Sequence, residues 1–147
     1  VQLFDSWAGT LTPRDFDVFS APYLKHIVTE VKKTHPDLPL ILYIAGSAGL
    51  IERLPLTGVD IVSLDQHVDV SDARRRMGMD VGIQGNLDPA VLISGSQQDI
   101  EERVDAICKK AEGTRHILNL GHGVLPQTPE EKVGMFFDAT KTVKDRL

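Results

Sequence analysis

LPLILYIAGSAG, the segment from Leu38 to Gly49, decides the fold class of this chain. Its first eight residues form an apolar run of strand length, and its last four are glycine and small residues. The run is nearly continuous in apolar character rather than alternating, which is typical of a parallel strand covered on both faces. The segment therefore predicts a buried parallel strand that ends in a short open loop.

Four other segments share this pattern: VQLF (1–4), VDIVSL (59–64), DVGIQGNL (80–87) and RHILNL (115–120). Helical patterns are expected between them. Strands that alternate with helices along the whole chain predict right-handed βαβ units and a parallel sheet, which is an α/β fold. No linker or low-complexity segment interrupts the alternation, so the chain is predicted to form a single unit.

The longest helical pattern covers residues 12–35. Thr12 suits the N-cap, and Pro13 suits the first helical position, where its missing N–H costs nothing. Apolar residues then recur every three or four positions, which predicts one helix with one buried stripe. The stripe consists of Phe16, Phe19, Tyr23, Leu24, Ile27, Val28 and Val31.

Two later segments have patterns that predict helices in the same way. Ser96 is the expected cap of the first and Gly113 its stop, with Cys108 as inert packing within it. The second, residues 128–147, is expected to bury an apolar face. That face consists of Val133, Phe136, Phe137, Thr140 and Val143.

Composition and charge argue against several classes of function. The 147 residues are 41% hydrophobic and 25% charged, which suits one globular unit, and no apolar run reaches the roughly 20 residues of a membrane span. The net charge of −5 argues against nucleic acid as a partner. Arg74, Arg75 and Arg76 fan out around a helix, so they are expected on a solvated face. One cysteine excludes an intramolecular disulfide and a multi-cysteine zinc site.

Polar or glycine-rich segments follow each apolar run: DSWAG, GSAG, DQHVD, GNLDP and GHGV. The carboxyl ends of parallel strands share one face of the fold, and sites are built there. Several residues of these segments suit a structural role as well as a functional one. Asp88 suits a helix cap better than a ligand contact, and Gly85 and Gly121 suit tight turns or close backbone approach.

His122 is the strongest functional candidate. It lies between Gly121 and Gly123, on open backbone without bulky neighbours, so its imidazole is expected to face the cleft. Ser6, at the end of the first strand, is equally compatible with a turn or capping role. His67 occupies a strand-end loop and could reach the same face, so its role stays open.

The strings VQLFDSWAG, PYLKHI, IQGNLDP and HILNLGHGV, together with residues 34–65, carry a family resemblance. In this order they resemble uroporphyrinogen decarboxylases, most closely those of plastids and cyanobacteria. The resemblance covers essentially the whole chain.

The resemblance implies a TIM (β/α)8 barrel. It implies a carboxy-lyase that removes the four acetate carboxyl groups of uroporphyrinogen III as CO2, giving coproporphyrinogen III in haem and chlorophyll synthesis. Members of the family need no metal or organic cofactor, since a protonated pyrrole ring accepts the electrons that the departing carboxyl group leaves behind. The family implies a homodimer in the plastid stroma or the bacterial cytoplasm, with no membrane or nucleic-acid partner.

Two site residues carry over from the family motifs. The serine of QLFDS, here Ser6, and the histidine of NLGHG, here His122, are implied to bind substrate carboxylates, and His122 is also taken as the catalytic residue. The family more often has tryptophan and threonine after the aspartate of LDQHVD. Gln66 and His67 therefore mark either altered substrate preference or, as we favour, a repacked loop.

The chain is short for this fold. A TIM barrel has eight strands in about 250 residues, so residues 1–147 are expected to be the C-terminal five βα units of one barrel domain. The arginine-bearing loop, the pyrrole-binding aspartate and the active-site tyrosine of the family have no counterpart in this sequence. We therefore expect the chain alone to be inactive, and to self-associate or to require the remaining part.

Three alternative functions remain. A related barrel family, the cobalamin-dependent methyltransferases, activates a thiol on zinc, which needs a cysteine at a strand end, whereas Cys108 lies within a predicted helix. A truncated or split half-barrel could serve as a non-catalytic interaction module. A phosphate-binding glycine loop at LGHGV is the third alternative, because late barrel strands often carry such sites.

Overall fold

The computed structural model describes residues 1–111 and 115–146, with side chains through Val143, and contains a five-stranded parallel sheet. The strands are β1 (Gln2–Phe4), β2 (Ile41–Tyr43), β3 (Ile61–Ser63), β4 (Gly82–Gln84) and β5 (His116–Ile117). They lie side by side in chain order, so β1 and β5 are the two edges. Each of the five predicted apolar runs contains one strand, and the predicted α/β class is confirmed.

Helices form most of the connections. They are α1 (Pro13–Phe19), α2 (Ala21–Thr34), α3 (Val70–Met77), α4 (Val91–Ser94), α5 (Gln97–Lys110) and α6 (Glu130–Arg146). The connection from β2 to β3 instead contains two 3₁₀ turns, Ser47–Gly49 and Pro55–Thr57. A strand followed by a crossover to its parallel neighbour is the repeating unit of α/β barrels.

The prediction of one helix over residues 12–35 is wrong, because Ser20 separates α1 from α2. The start is as predicted: the Thr12 side chain accepts a hydrogen bond from the Asp15 N–H, with a proline at the first helical position. The physical reason for the break is Pro22, which has no N–H to donate to the Val18 carbonyl. At the start of a new helix this missing donor costs nothing.

The buried face of α1 and α2 also contains fewer residues than predicted. Phe16, Leu24 and Val28 are buried with Ser20 between them, so the buried line follows a spacing of four. The predicted stripe is wrong at three flanking positions, which are exposed: Phe19, Tyr23 and Ile27. These positions lie one residue earlier in the chain, about 100° around the helix from the buried line.

Exposed apolar side chains gather beside β1. Trp7 is 82% exposed, and Phe4 and Phe19 are more than 60% exposed. With Ile27 they line one shallow hollow at the β1 edge of the sheet, and we call these four residues the edge patch. A contiguous exposed apolar surface usually marks a contact with another polypeptide segment.

A second core lies under α5 and α6. Ile100, Val104 and Phe136 pack there, and Cys108 lies partly buried in the same cluster, as the packing prediction expects. The predicted Ser96 cap is confirmed, whereas the predicted stop at Gly113 lies outside the described residues. The predicted burial of Phe137 is wrong, because its side chain is exposed. Phe137 follows Phe136 in the chain, so it points about 100° around the helix from that buried residue.

The predicted solvated placement of the three arginines is wrong for Arg74, which is 4% exposed. Its guanidinium donates to the Val81 carbonyl at 2.8 Å and to the Gly78 carbonyl at 3.3 Å. A guanidinium can be buried where its stem packs against apolar groups and carbonyl oxygens accept its protons. Arg74 therefore ties the end of α3 to the start of β4.

Substitution of Arg74 by leucine is expected to lower the free energy of unfolding by about 2–4 kcal/mol, since buried carbonyl groups lose a charged donor. Arg75→Leu is the matched control, because the Arg75 side chain is 75% exposed, and its effect should stay within about 0.5 kcal/mol. Urea unfolding of both variants measures the difference. Equal effects would mean that Arg74 contributes no more than a surface arginine.

Candidate active site

One row of side chains lies on the face of the sheet opposite the helices. Strand register aligns Phe4, Tyr43, Ser63, Gln84 and Ile117 across the five strands. Because side chains alternate between the faces of a strand, this row is opposite the buried row that packs against the helices. Four residues of this row, all but Ile117, line a cavity of about 510 Å³ at the carboxyl ends of the strands.

The two residues predicted as the site lie in this same cavity. Ser6 follows β1 and His122 follows β5, so they come from opposite edges of the sheet. Within the described part of the chain, the Ser6 hydroxyl has no hydrogen-bond partner, and the His122 Nδ1 has only the Gly123 carbonyl at 3.4 Å. Both side chains are exposed to the cavity and available to a ligand.

The floor of the cavity is polar and uncharged. The Gln84 side-chain amide donates to Ser63 Oγ at 3.0 Å and to Gln2 Oε1 at 3.1 Å. Ser63 and Gln84 are almost fully buried, so their mutual bonds remove the cost of burying polar groups. Sequence reasoning missed this floor, although polar residues inside apolar strands were the available signal.

Tyr43 lines the same cavity as the two predicted residues. Its hydroxyl donates to the Gly121 carbonyl at 3.2 Å. Its ring lies edge-on to Phe4, with centroids 5.9 Å apart, and to His122, with centroids 6.5 Å apart. Burial raises the pKa of the Tyr43 phenol, and the nearby Asp65 carboxylate raises that pKa further. The phenol is therefore a neutral donor.

Gly121 allows two loops to touch. A Cβ at this position would lie 2.3 Å from the Gln66 nitrogen and 2.7 Å from its Cα. At Gly123, by contrast, a Cβ would meet no described heavy atom within 4 Å. The close-approach interpretation of Gly121 is confirmed.

Asp65 ties three strand-end loops together. Its buried carboxylate accepts hydrogen bonds from the Ser47 N–H at 3.1 Å and the His67 N–H at 2.8 Å, and lies 3.1 Å from His67 Nδ1. The Asn86 side chain donates to the Asp65 carbonyl at 2.8 Å and to the Val68 carbonyl at 2.6 Å. These bonds favour the repacked-loop interpretation of Gln66 and His67.

His67 lies outside the cavity that holds His122. It lines a second cavity of about 350 Å³ between the loops after β3 and β4 and helix α5. Lys110 and Asp69 are ion-paired at 2.7 Å in this second cavity. Asp88 also lines it. The predicted helix-cap role of Asp88 is wrong, because its side chain accepts a hydrogen bond from the Ala90 N–H in the turn before α4, and Ala90 is the N-cap of that helix.

Residues 1–111 and 115–146 are the described ranges of the chain. They contain no group of three or more His, Cys, Asp or Glu side chains placed to hold a metal ion. No helix in these ranges has the length and apolar character that crossing a membrane requires. Cys108, which the zinc-dependent alternative needs at a strand end, lies on α5.

Five adjacent parallel strands in chain order, with a cavity at their carboxyl ends, define a protein of the TIM-barrel class. The chain is similar to a solved methyltransferase from Methanosarcina mazei, with a TM-score of 0.78 over 97% of this chain and 42% of the other. At 21% sequence identity this similarity concerns the fold alone.

Sequence comparison identifies the family. The family model for uroporphyrinogen decarboxylase (URO-D) matches residues 1–143, so the chain belongs to the uroporphyrinogen decarboxylase family. It is 59% identical over its whole length to a uroporphyrinogen decarboxylase of Synechococcus sp. (strain CC9605), and 56% identical over 144 residues to one of Hordeum vulgare. The chain spans 42% and 43% of the length of these two relatives.

Proposed function

We propose that this chain is the C-terminal part of a single TIM-barrel domain that decarboxylates uroporphyrinogen III to coproporphyrinogen III. The observation that carries the proposal is the meeting of Ser6 and His122, from opposite edges of the sheet, in one cavity. The family and the relatives, from cyanobacteria and barley, support it. The proposal extends to a bacterial cytoplasm or plastid stroma as the compartment and to a homodimer as the assembly.

The chemistry of the cavity suits a substrate with many carboxylates. The Ser6 hydroxyl donates a hydrogen bond without charge, and the His122 imidazole donates with charge when it is protonated. In the proposed reaction, protonation of a pyrrole carbon makes the ring an electron sink, and the C–C bond to the acetate carboxyl breaks to release CO2. The electron pair of that bond passes into the ring; the exocyclic CH2 group then takes up a proton to become a methyl group, and the ring carbon loses the proton it gained. The protonated ring is the electron sink, so no metal or organic cofactor is needed.

The remaining strands are proposed to cover the edge patch and to pair with the outer edges of β1 and β5. A closed barrel has no strand edges, and the relatives contain more than half of their length outside the match. No lysine or arginine of the described residues lines the cavity, so we expect the cations that neutralise a polyanionic substrate to come from those other segments. We therefore expect no activity from the chain alone.

The edge patch also supports a second candidate function, in which the chain is a non-catalytic interaction module. In that case the patch would bind a partner without completing an active site. The two functions differ in one measurable respect, which is turnover after the missing strands are supplied.

The test is co-expression of this chain with the part of the Synechococcus relative that the chain does not match. The purified complex should convert uroporphyrinogen to coproporphyrinogen with release of CO2, whereas each part alone should not. A stable complex that shows no turnover would support the interaction module instead. Turnover by the chain alone would contradict the proposed division of the site between two parts.

A further inference from the structure

We propose that Tyr43 is a positioning residue that sets the distance and orientation between the two substrate-binding groups, Ser6 and His122. The inference rests on the proposed function and deepens it. It depends on three contacts of one side chain, which reach both sides of the cavity.

The first contact fixes the loop that carries His122. The Tyr43 hydroxyl donates to the carbonyl of Gly121, a residue 78 positions later in the chain. The Gly121 N–H is bonded to the Leu87 carbonyl at 2.8 Å, and its Cα packs against the Gln66 backbone. These three contacts hold Gly121 in place. They therefore fix the backbone from which the side chain of the next residue, His122, extends.

The second contact orients the imidazole. The rings of Tyr43 and His122 meet edge-on at an interplanar angle of 74°, a favourable arrangement for aromatic pairs. The His122 side chain is exposed, and its other polar contact, with the Gly123 carbonyl, is long at 3.4 Å. The Tyr43 ring is therefore the main constraint on the imidazole within the described residues.

The third contact reaches the other side of the site. The Tyr43 ring also meets Phe4 edge-on, with an interplanar angle of 62°. Phe4 ends β1, and Ser6 follows it by two residues. Because Tyr43 is 8% exposed and its proton is used by Gly121, its role is to hold other groups rather than to bind substrate.

The test compares Tyr43→Phe and Tyr43→Leu in the complex of this chain with the unmatched part of the Synechococcus relative. Tyr43→Phe removes one neutral hydrogen bond, so kcat/KM should fall about three- to tenfold, mainly through KM. Tyr43→Leu also removes both ring contacts and should lower kcat/KM further. Tyr23→Phe is the matched control, since the Tyr23 ring is 69% exposed and its hydroxyl has no partner in the described part of the chain.

Two readouts separate positioning from mere stability. The imidazole NMR signals of His122 should shift in both Tyr43 variants and stay fixed in Tyr23→Phe. In a His122→Ala background, Tyr43→Phe should cause no further loss of kcat/KM, because residues that act through each other are not additive.

The outcomes keep the two proposals distinguishable. Unshifted His122 signals, or a full additional loss in the His122→Ala background, would overturn the positioning role and leave the proposed function intact. A complex without turnover would overturn the proposed function, and the His122 signals would still decide the role of Tyr43.

Discussion

Gly121→Ala is expected to lower the free energy of unfolding by about 3 kcal/mol and kcat/KM of the completed barrel by more than about tenfold. The new methyl group would lie 2.3 Å from the Gln66 nitrogen, and no rotamer change can relieve a clash with backbone. Overpacking typically costs about 1–3 kcal/mol, and backbone shifts belong to the upper part of that range. The loop after β5 must move, and His122 moves with it.

Gly123→Ala is the matched control for that substitution. It adds the same methyl group two residues later, where no described heavy atom lies within 4 Å. Its stability should stay within about 0.5 kcal/mol of the parent chain. Urea unfolding and the decarboxylation assay measure both effects, and equal behaviour of the two alanine variants would show that the loops can separate without cost.

His122→Ala is expected to lower kcat/KM of the completed barrel by about 10- to 150-fold, with little change in stability. The figure corresponds to the loss of a hydrogen bond to a charged group, about 1.5–3 kcal/mol. Stability should change by less than about 1 kcal/mol because the side chain is exposed and makes one long polar contact and one ring contact, with Tyr43.

The control for His122→Ala is His67→Ala. His67 is a second exposed histidine in a strand-end loop, and it lines a different cavity. Steady-state assays of both variants should separate them by at least an order of magnitude. Comparable losses would place the substrate across both loops and remove the special role of His122.

Local patterns in the sequence predict much of the fold and of the site. The five strands follow from apolar runs of strand length. The location of Ser6 and His122 follows from a general property of parallel sheets, whose carboxyl ends meet on one face. The Ser96 and Thr12 caps follow from residue type and spacing.

Features that depend on distant residues could not be read from local patterns. Tyr43 looks like one more apolar strand residue, and its importance arises from Gly121, 78 residues away. Arg74 looks solvated on its helix, and its burial depends on carbonyls supplied by the start of β4. Exposure of Phe19 depends on its position beside the edge strand, which helical periodicity does not encode.

The hydrogen bonds of Asp65 limit how far the loops that they join can change in length and sequence. Because one carboxylate serves the loops after β2 and β3, and Asn86 joins the loop after β4 to them, a length change in one loop disturbs the other two. The loops that carry Ser6 and His122 take no part in these bonds. Insertions and deletions that accompany a change in substrate range should therefore be rarest in the loops after β2, β3 and β4.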